Sequence, residues 1–553
     1  MAIDHKTERG NDIKKIKDSP HPRKVVVAGP GTGKSYLFGE IIKKKRKEGK
    51  NNFLAITFIG KLGDALASDL CGSARTTTMH SFARSFVLEK VKTWIYYPRM
   101  YELISEDLKN EGVETFKIGD KNYLAKTNYY GAVGDADVVH YAVRLCKRYP
   151  KIIPIFDLIL VDEYQDFNEM ESEFVDLLAQ KNEIVIVGDD DQALYSFKGS
   201  SPSFIRLKFD SGNKDWDSHT LRFCSRCTEV IIKYFHSIVE KYQLNDSAEE
   251  DPAKKRVQKE YICYMPAGES DSKIDDSKAN SKIHLINNCP VGTIAYKIKD
   301  ELEEIIKNQK IKDVLIVGEG RSCESLLKTI AQQLKNYGFK NVDHRGDGRI
   351  IPVRQNIIDA YRFIAKNNES LLGWRILGNP QDLAEKEKHI KNAKVLDTVI
   401  SGTPSTIKSI SDARFSLLEK EIEDWTLPSS KGGGEVETEE SSEIKTANQN
   451  KEIRRKLLIQ ELKRANLSLP RPICNLDITV CNILNSKGLG ADIVFLVGFD
   501  QGRFPLKKDP TENEIYQMLV AITRAKKRIY LINTIGRKIS QFIDCLNKKD
   551  IDI

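Results

Sequence analysis

The stretch that most constrains the fold is a short apolar run that ends in glycines. Residues 24–28 read as a buried strand, Gly29, Pro30, Gly31, Thr32 and Gly33 as a tight turn, and Lys34 and Ser35 as the start of a helix continuing through Tyr36, Leu37 and Phe38. Strand, glycine-rich loop and helix in that order make a phosphate cradle, because glycines let backbone N–H groups close around phosphate oxygens at a helix N-terminus. Lys34 adds a positive charge there, and the Ser35 hydroxyl is suited to ligate Mg²⁺. Ala28 stands at the usual first glycine. The bland alternative is a chance glycine-rich turn, which the flanking strand and helix argue against.

A cradle of this kind needs a carboxylate on a neighbouring strand. Residues 156–163 supply it, as an apolar run ending in Asp162 and Glu163. Asp162 would hold Mg²⁺ through water, and Glu163 would orient and deprotonate an attacking water. Together the two segments predict binding and hydrolysis of ATP with Mg²⁺.

Further β-branched runs at 53–58, 184–187, 314–317, 478–480, 493–497 and 529–532 alternate with helix-length amphipathic patterns. Buried strands alternating with helices predict an α/β fold with parallel sheets. The pattern occurs before about residue 220 and again after about 310, which predicts two such cores. Of the 553 residues 40% are hydrophobic, enough for real cores, so wholesale disorder is excluded. No apolar run is long enough for a membrane span, so no membrane partner is expected. The N-terminal residues lack the design of a secretory signal, and ten scattered cysteines read as reduced thiols, so a cytoplasmic protein is expected. The net charge of +8 permits a nucleic-acid partner without requiring one. Residues 244–282 read as a polar surface linker, residues 428–451 as a flexible acidic loop, and the lysine-rich run 43–47 as a solvated helix face.

The motifs also carry a resemblance. Asp162, Glu163, Tyr164, Gln165 and Asp166, then Val-Gly-Asp-Asp-Asp-Gln-Ala-Leu-Tyr-Ser-Phe-Lys-Gly-Ser over 187–200, then Val-Ala-Ile-Thr-Arg-Ala over 520–525, resemble the UvrD/Rep/PcrA group of superfamily 1 DNA helicases. Weaker matches at 54–58, 78–82, 221–231, 486–489 and Phe504–Pro505 fall in the same order, so the resemblance runs from about 24 to 532. It implies two RecA-like P-loop cores with small, mainly helical insertions. The first core would comprise 1–88 and 151–220, with 89–150 a small insertion. The second would comprise 221–375 and 471–553, with 376–470 a reduced insertion.

Site roles follow from the same resemblance. Gln192 would sense the γ-phosphate from the first core, and Arg226 and Arg524 would reach it from the second. Tyr195 and Phe197 would stack single-stranded bases, with Phe58, His80 and Lys198 on the same strand-binding face. Core packing is the alternative for Tyr195 and Phe197, and ordinary structural hydrogen bonding the alternative for His80.

Departures from the family are concentrated in base and sugar contacts. No glutamine precedes Gln165, so the adenine-reading glutamine has no counterpart. Cys224, Ser225 and Arg226 stand where Asn-Tyr-Arg is usual, leaving Phe223 as the candidate substitute for a stacking tyrosine. Asn485 replaces a histidine, and Gly490 a ribose-contacting glutamate. Loose nucleotide discrimination is therefore expected. The Cys224–Cys227 spacing lacks a second pair and is not read as a metal site.

Three function readings follow. The first is an ATP-driven helicase or translocase on single-stranded DNA or an ss/ds DNA junction, moving 3′ to 5′ by analogy. The second is a DNA-sensing ATPase subunit that regulates a separate effector such as a nuclease, for instance in phage defence. The third, disfavoured by the motifs, is an RNA helicase. No appended nuclease domain is expected after the last strand.

Overall fold

The computed structural model describes residues 4–58, 60–210, 212–242, 244, 250–266, 272–320, 323–345, 353–379, 381–401 and 476–553. The expected acidic loop 428–451, and most of the expected insertion 376–470, lie outside the described residues.

The chain groups into two units, one of 1–87, 139–347 and 474–553, the other of 88–138 and 348–473. The first unit holds the two large sheets. Six parallel strands run in the order Arg75–Thr78, Phe53–Thr57, Leu158–Val161, Ile184–Gly188, Arg23–Ala28 and Asp217–Leu221. Seven more parallel strands run Asn341–Arg345, Asp477–Asn482, Asp313–Gly318, Ala491–Val497, Ala525–Thr534, Ile283–Cys289 and Ile551–Asp552. The central strands are continuous aliphatic runs because helices cover both faces of each sheet. This is the predicted α/β architecture with two parallel cores. The strand Ile283–Cys289, a mixed run of His, Leu, Ile and Asn, was not among the runs read as strands.

Register brings the chemistry to one edge. Val161 pairs with Ile186, and Val27 with Gly188, so the segments that follow these strands leave the first sheet side by side. Crevices beyond strand C-termini are where parallel α/β sheets bind ligands.

Three expectations need correction. The insertion expected over 89–150 yields 139–150 to the larger unit, while 348–375, expected in the second core, groups with 88–138. The cause is packing within the smaller unit. Leu372 and partly buried Phe363 and Ile376 sit in one apolar cluster with Tyr97, Met100, Leu103 and Ile104. Arg375 donates through Nε to Asp107 across the same contact, at 2.8 Å. The two insertions thus share a core.

The expected linker 244–282 is no simple surface segment in its described part, because Arg256, Val257 and Tyr261 are buried. The lysine run is the expected solvated helix face at Lys43, Arg46 and Lys47, all exposed, and departs from it chiefly at Lys45. Lys43 pairs with Glu40, Lys44 with Asp18, and Lys45, largely buried, with Glu183.

Truncating Leu372, which is fully buried, tests the shared insertion core. Leu372→Ala is expected to cost about 2–5 kcal/mol, read as an earlier urea unfolding transition of the unit containing Trp374.

Candidate nucleotide cleft

The strand Arg23–Ala28 delivers the chain to the cradle with every residue from Lys24 to Ala28 buried. Gly31 and Gly33 have φ of 72° and 95°, a region open to glycine at no steric cost. Thr32 donates to the Gly29 carbonyl at 2.8 Å and closes the turn, after which the helix Lys34–Lys47 begins. Lys34 Nζ lies back over the loop, 3.4 Å from the Ala28 carbonyl oxygen.

A cavity of about 360 Å³ opens at this helix start. Pro30, Gly31, Gly33, Lys34, Ser35, Asp162, Glu163, Gln192, Arg226 and Arg524 all line it. Ala28, Gly29 and Thr32, also proposed for the nucleotide, shape the loop from behind without lining the cavity. The predicted catalytic set is thus brought together from both cores.

Glu163 takes φ 53°, ψ 41°, a left-handed backbone uncommon for a residue with Cβ. Its Oε2 accepts from Gln165 Nε2 at 2.6 Å, and Lys487 Nζ stands 3.9 Å away. Burial pushes the Asp162 carboxyl up, and the adjacent Glu163 charge pushes the same way. Burial would raise Glu163 too, but Lys34 and Lys487 outweigh it and hold that carboxyl down. Glu163 is therefore the more acidic member of the pair.

Arg524 is 2% exposed, with Nε donating to the Val520 carbonyl at 3.0 Å and Nη2 to Gln192 Oε1 at 3.1 Å. Burial and the neighbouring Arg226 push its guanidinium down to about 10, still charged at neutral pH. Two guanidinium groups and an ammonium facing one polar cavity make a site built for a polyanion. Ser35 and Asp162 offer hydroxyl and carboxylate oxygens in the same cavity, a hard-oxygen donor set that fits Mg²⁺.

Several residues here were missed from the sequence. Ser225 donates through N and Oγ to the Gly31 carbonyl, at 2.9 and 3.1 Å. Tyr261 packs its ring over Gly29 and donates to the Pro30 carbonyl at 2.8 Å. Lys487, with a fully buried side chain, donates to Asp166 and to the Gln192 carbonyl. Gln165 and Lys487 lay within quoted motifs but had no role assigned. Tyr261 carried no signal, sitting in a stretch that reads as polar linker.

The base-contact expectation fails at Phe223, which is buried against His5 and Tyr264 and has no open face to offer. The exposed ring at the cavity is Tyr36, at 54%. Cys224 and Cys227 are free, buried thiols beside the cradle.

The nucleic-acid candidates fall on a second face. Lys198 Nζ lies 5.8, 5.4 and 5.9 Å from the ring centres of Phe58, Tyr195 and Phe197. His80 Nδ1 is 3.4 Å from the buried Glu171 carboxylate. Phe197 is 69% exposed, but Tyr195 is 7% exposed, with Phe58 at 4.9 Å and Lys487 also over its ring. Open stacking by Tyr195 is therefore corrected to core packing, because its faces already have partners.

The profile of the UvrD/REP helicase N-terminal domain matches residues 109–213, and that of the UvrD-like helicase C-terminal domain matches 436–535. The second match begins ahead of 471, where the second core was expected to resume. ATP-dependent DNA helicase PcrA of Staphylococcus epidermidis is 23% identical over 81% of this chain and 65% of its own length. A probable DNA helicase II homolog of Mycoplasma capricolum is 24% identical over 74% of this chain and 60% of its own. PcrA of Staphylococcus aureus is 21% identical over 93% and 81%. The chain thus spans somewhat less than two thirds of the length of the first two relatives.

The cradle's tightest point makes a direct test. A Cβ on Gly31 would stand 2.4 Å from Arg226 Cβ, in a left-handed backbone. Gly31→Ala is expected to weaken binding of a fluorescent ATP analogue at least tenfold, about 1.4 kcal/mol, as measured by equilibrium titration.

Proposed function

We propose that this UvrD/Rep/PcrA-like chain is an ATP-driven motor that hydrolyses ATP between its two cores and moves 3′ to 5′ along single-stranded DNA to open ss/ds junctions. The observation that carries the reading is the convergence of Lys34, Asp162, Glu163 and Gln192 from one core with Arg226 and Arg524 from the other on one cavity.

Backbone N–H groups of Gly31 to Ser35 and the Lys34 ammonium would bind the β- and γ-phosphates. Ser35 and Asp162 would hold Mg²⁺, whose charge offsets that of the phosphates. Glu163, ionised and fixed by Gln165, would orient the attacking water and take its proton. Arg226 and Arg524 would stabilise charge on the transferring phosphoryl group, so turnover would require both cores to be engaged. Phe197 supplies the open ring for base stacking, and Lys198 a cation for the strand backbone. Each cycle of cleft closure and opening would then advance the strand.

Steady-state ATP hydrolysis with and without single-stranded DNA tests this. Stimulation of at least about tenfold, with Lys34→Ala lowering turnover by about a hundredfold or more, is the expected result. An ATPase indifferent to DNA sinks the motor reading and turns attention to a separate effector or to RNA.

The eroded base contacts, with Phe223 buried, favour loose base selection. GTP is expected to support turnover within about a hundredfold of ATP in kcat/KM, equivalent to about 2.7 kcal/mol. Competition kinetics with the two nucleotides checks this.

A further inference from the structure

The segment 250–266 lies against the cleft as a strap rather than passing over the surface. Around Lys259 its side chains alternate. Val257 and Tyr261 are buried, Gln258 and Glu260 face solvent, and the Lys259 side chain is 1% exposed. That period of two belongs to an extended segment with one face against the protein.

Lys259 Nζ donates to Asp189 Oδ1 at 2.7 Å and to Asp190 Oδ1 at 2.6 Å, and stands 2.8 Å from Asp191 Oδ2. Arg256 holds Asp191 with two hydrogen bonds, at 2.6 and 2.5 Å, and Arg206 Nε holds Asp190 at 3.1 Å. Three buried carboxylates therefore meet three buried cations. Burial opposes the charge on Lys259, but the three carboxylates prevail and keep it protonated.

One contact of this cluster reaches the cleft. The second oxygen of Asp189, Oδ2, accepts from Gln192 Nε2 at 2.7 Å, while Gln192 Oε1 accepts from Arg524 at 3.1 Å. An amide can satisfy both neighbours in one orientation only, with NH₂ toward the carboxylate and C=O toward the guanidinium. Asp189 thus decides which end of Gln192 faces Arg524, and Lys259 decides where Asp189 sits.

We propose that Lys259 is a positioning residue for the hydrolysis described above, on which this inference rests. By neutralising and anchoring Asp189, it holds Gln192 with its carbonyl oxygen on Arg524 in the cavity. Without Lys259, three buried acids would share two cations, and the uncompensated charge would pull Asp189 toward whatever cation it could reach. Two residues on, Tyr261 seats the same strap on Gly29 and Pro30. One segment therefore registers the Asp189–Gln192 turn against the phosphate cradle.

The experiment is a double-mutant cycle on kcat with the full chain. Lys259→Met is expected to lower kcat by about ten- to a hundredfold, with KM for ATP changed less than about threefold, and Lys259→Arg to recover part of the loss. In a Gln192→Ala background, Lys259→Met should change kcat less than about twofold, because what it secures is already gone. If the two effects multiply, Lys259 does not act through Gln192 and the proposal is overturned. Should Lys259→Met fail to fold, the charge-compensated Lys259→Met/Asp190→Asn variant takes its place. Low kcat there, again insensitive to Gln192→Ala, supports the proposal, and wild-type kcat overturns it. A wild-type chain with no ATPase activity, with or without DNA, overturns the reading of the cleft and this inference together. An active wild type silenced by Lys34→Ala, with independent Lys259 and Gln192 effects, overturns this inference alone.

Discussion

The cleft between the cores depends on positive charge gathered around two adjacent carboxylates. Lys34, Lys487 and Arg524 act on Asp162 and Glu163, Lys487 also pairs with Asp166, and burial pushes the Arg524 guanidinium down in company with Arg226. Cations held this close raise the free energy of the protein unless an anion joins them. The cleft therefore carries an electrostatic demand that a triphosphate would meet. Burial and the Glu163 charge push the Asp162 carboxyl up in spite of the cations, while the same cations hold Glu163 down.

That demand is met by residues from distant parts of the chain, and secondary contacts hold each in place. Arg524 is fixed by the carbonyls of Val520 and Leu489 and by Gln192. Gln165 spans from Glu163 to the Asp189 backbone N–H, joining the acid strand end to the next turn. Gly188 permits this, since a Cβ there would stand 2.6 Å from Gln165 Oε1. The residues that line the cavity are thus supported by a shell with little freedom to choose another geometry.

Much of this was legible in the sequence because phosphate chemistry is written locally. The cradle, the acid pair and the Thr-Arg-Ala arginine each announce themselves within a few adjacent residues, and the strands do so by uninterrupted β-branched runs. What escaped was written in pairs distant along the chain. Lys259 and Arg256 look like solvated charges in a polar stretch, since composition does not distinguish a charge in water from one facing a buried carboxylate. Tyr195 and Phe197 read alike, two residues apart in a loop, yet only contacts with Phe58 and Lys487 bury one and leave the other open. The shared insertion core escaped for the same reason, as Leu372 and Ile104 pair only in three dimensions.

The Gly31 carbonyl, which accepts both hydrogen bonds of Ser225, ties a segment from beyond residue 220 to the phosphate cradle. Tyr261 makes a second such tie at the Pro30 carbonyl, and Lys487 a third at Asp166. The cradle and the acid segment are thus stitched directly to the other core beside an open cavity. Any shift of the cradle would strain these stitches, and the strain would reach the second core without first passing through its sheet.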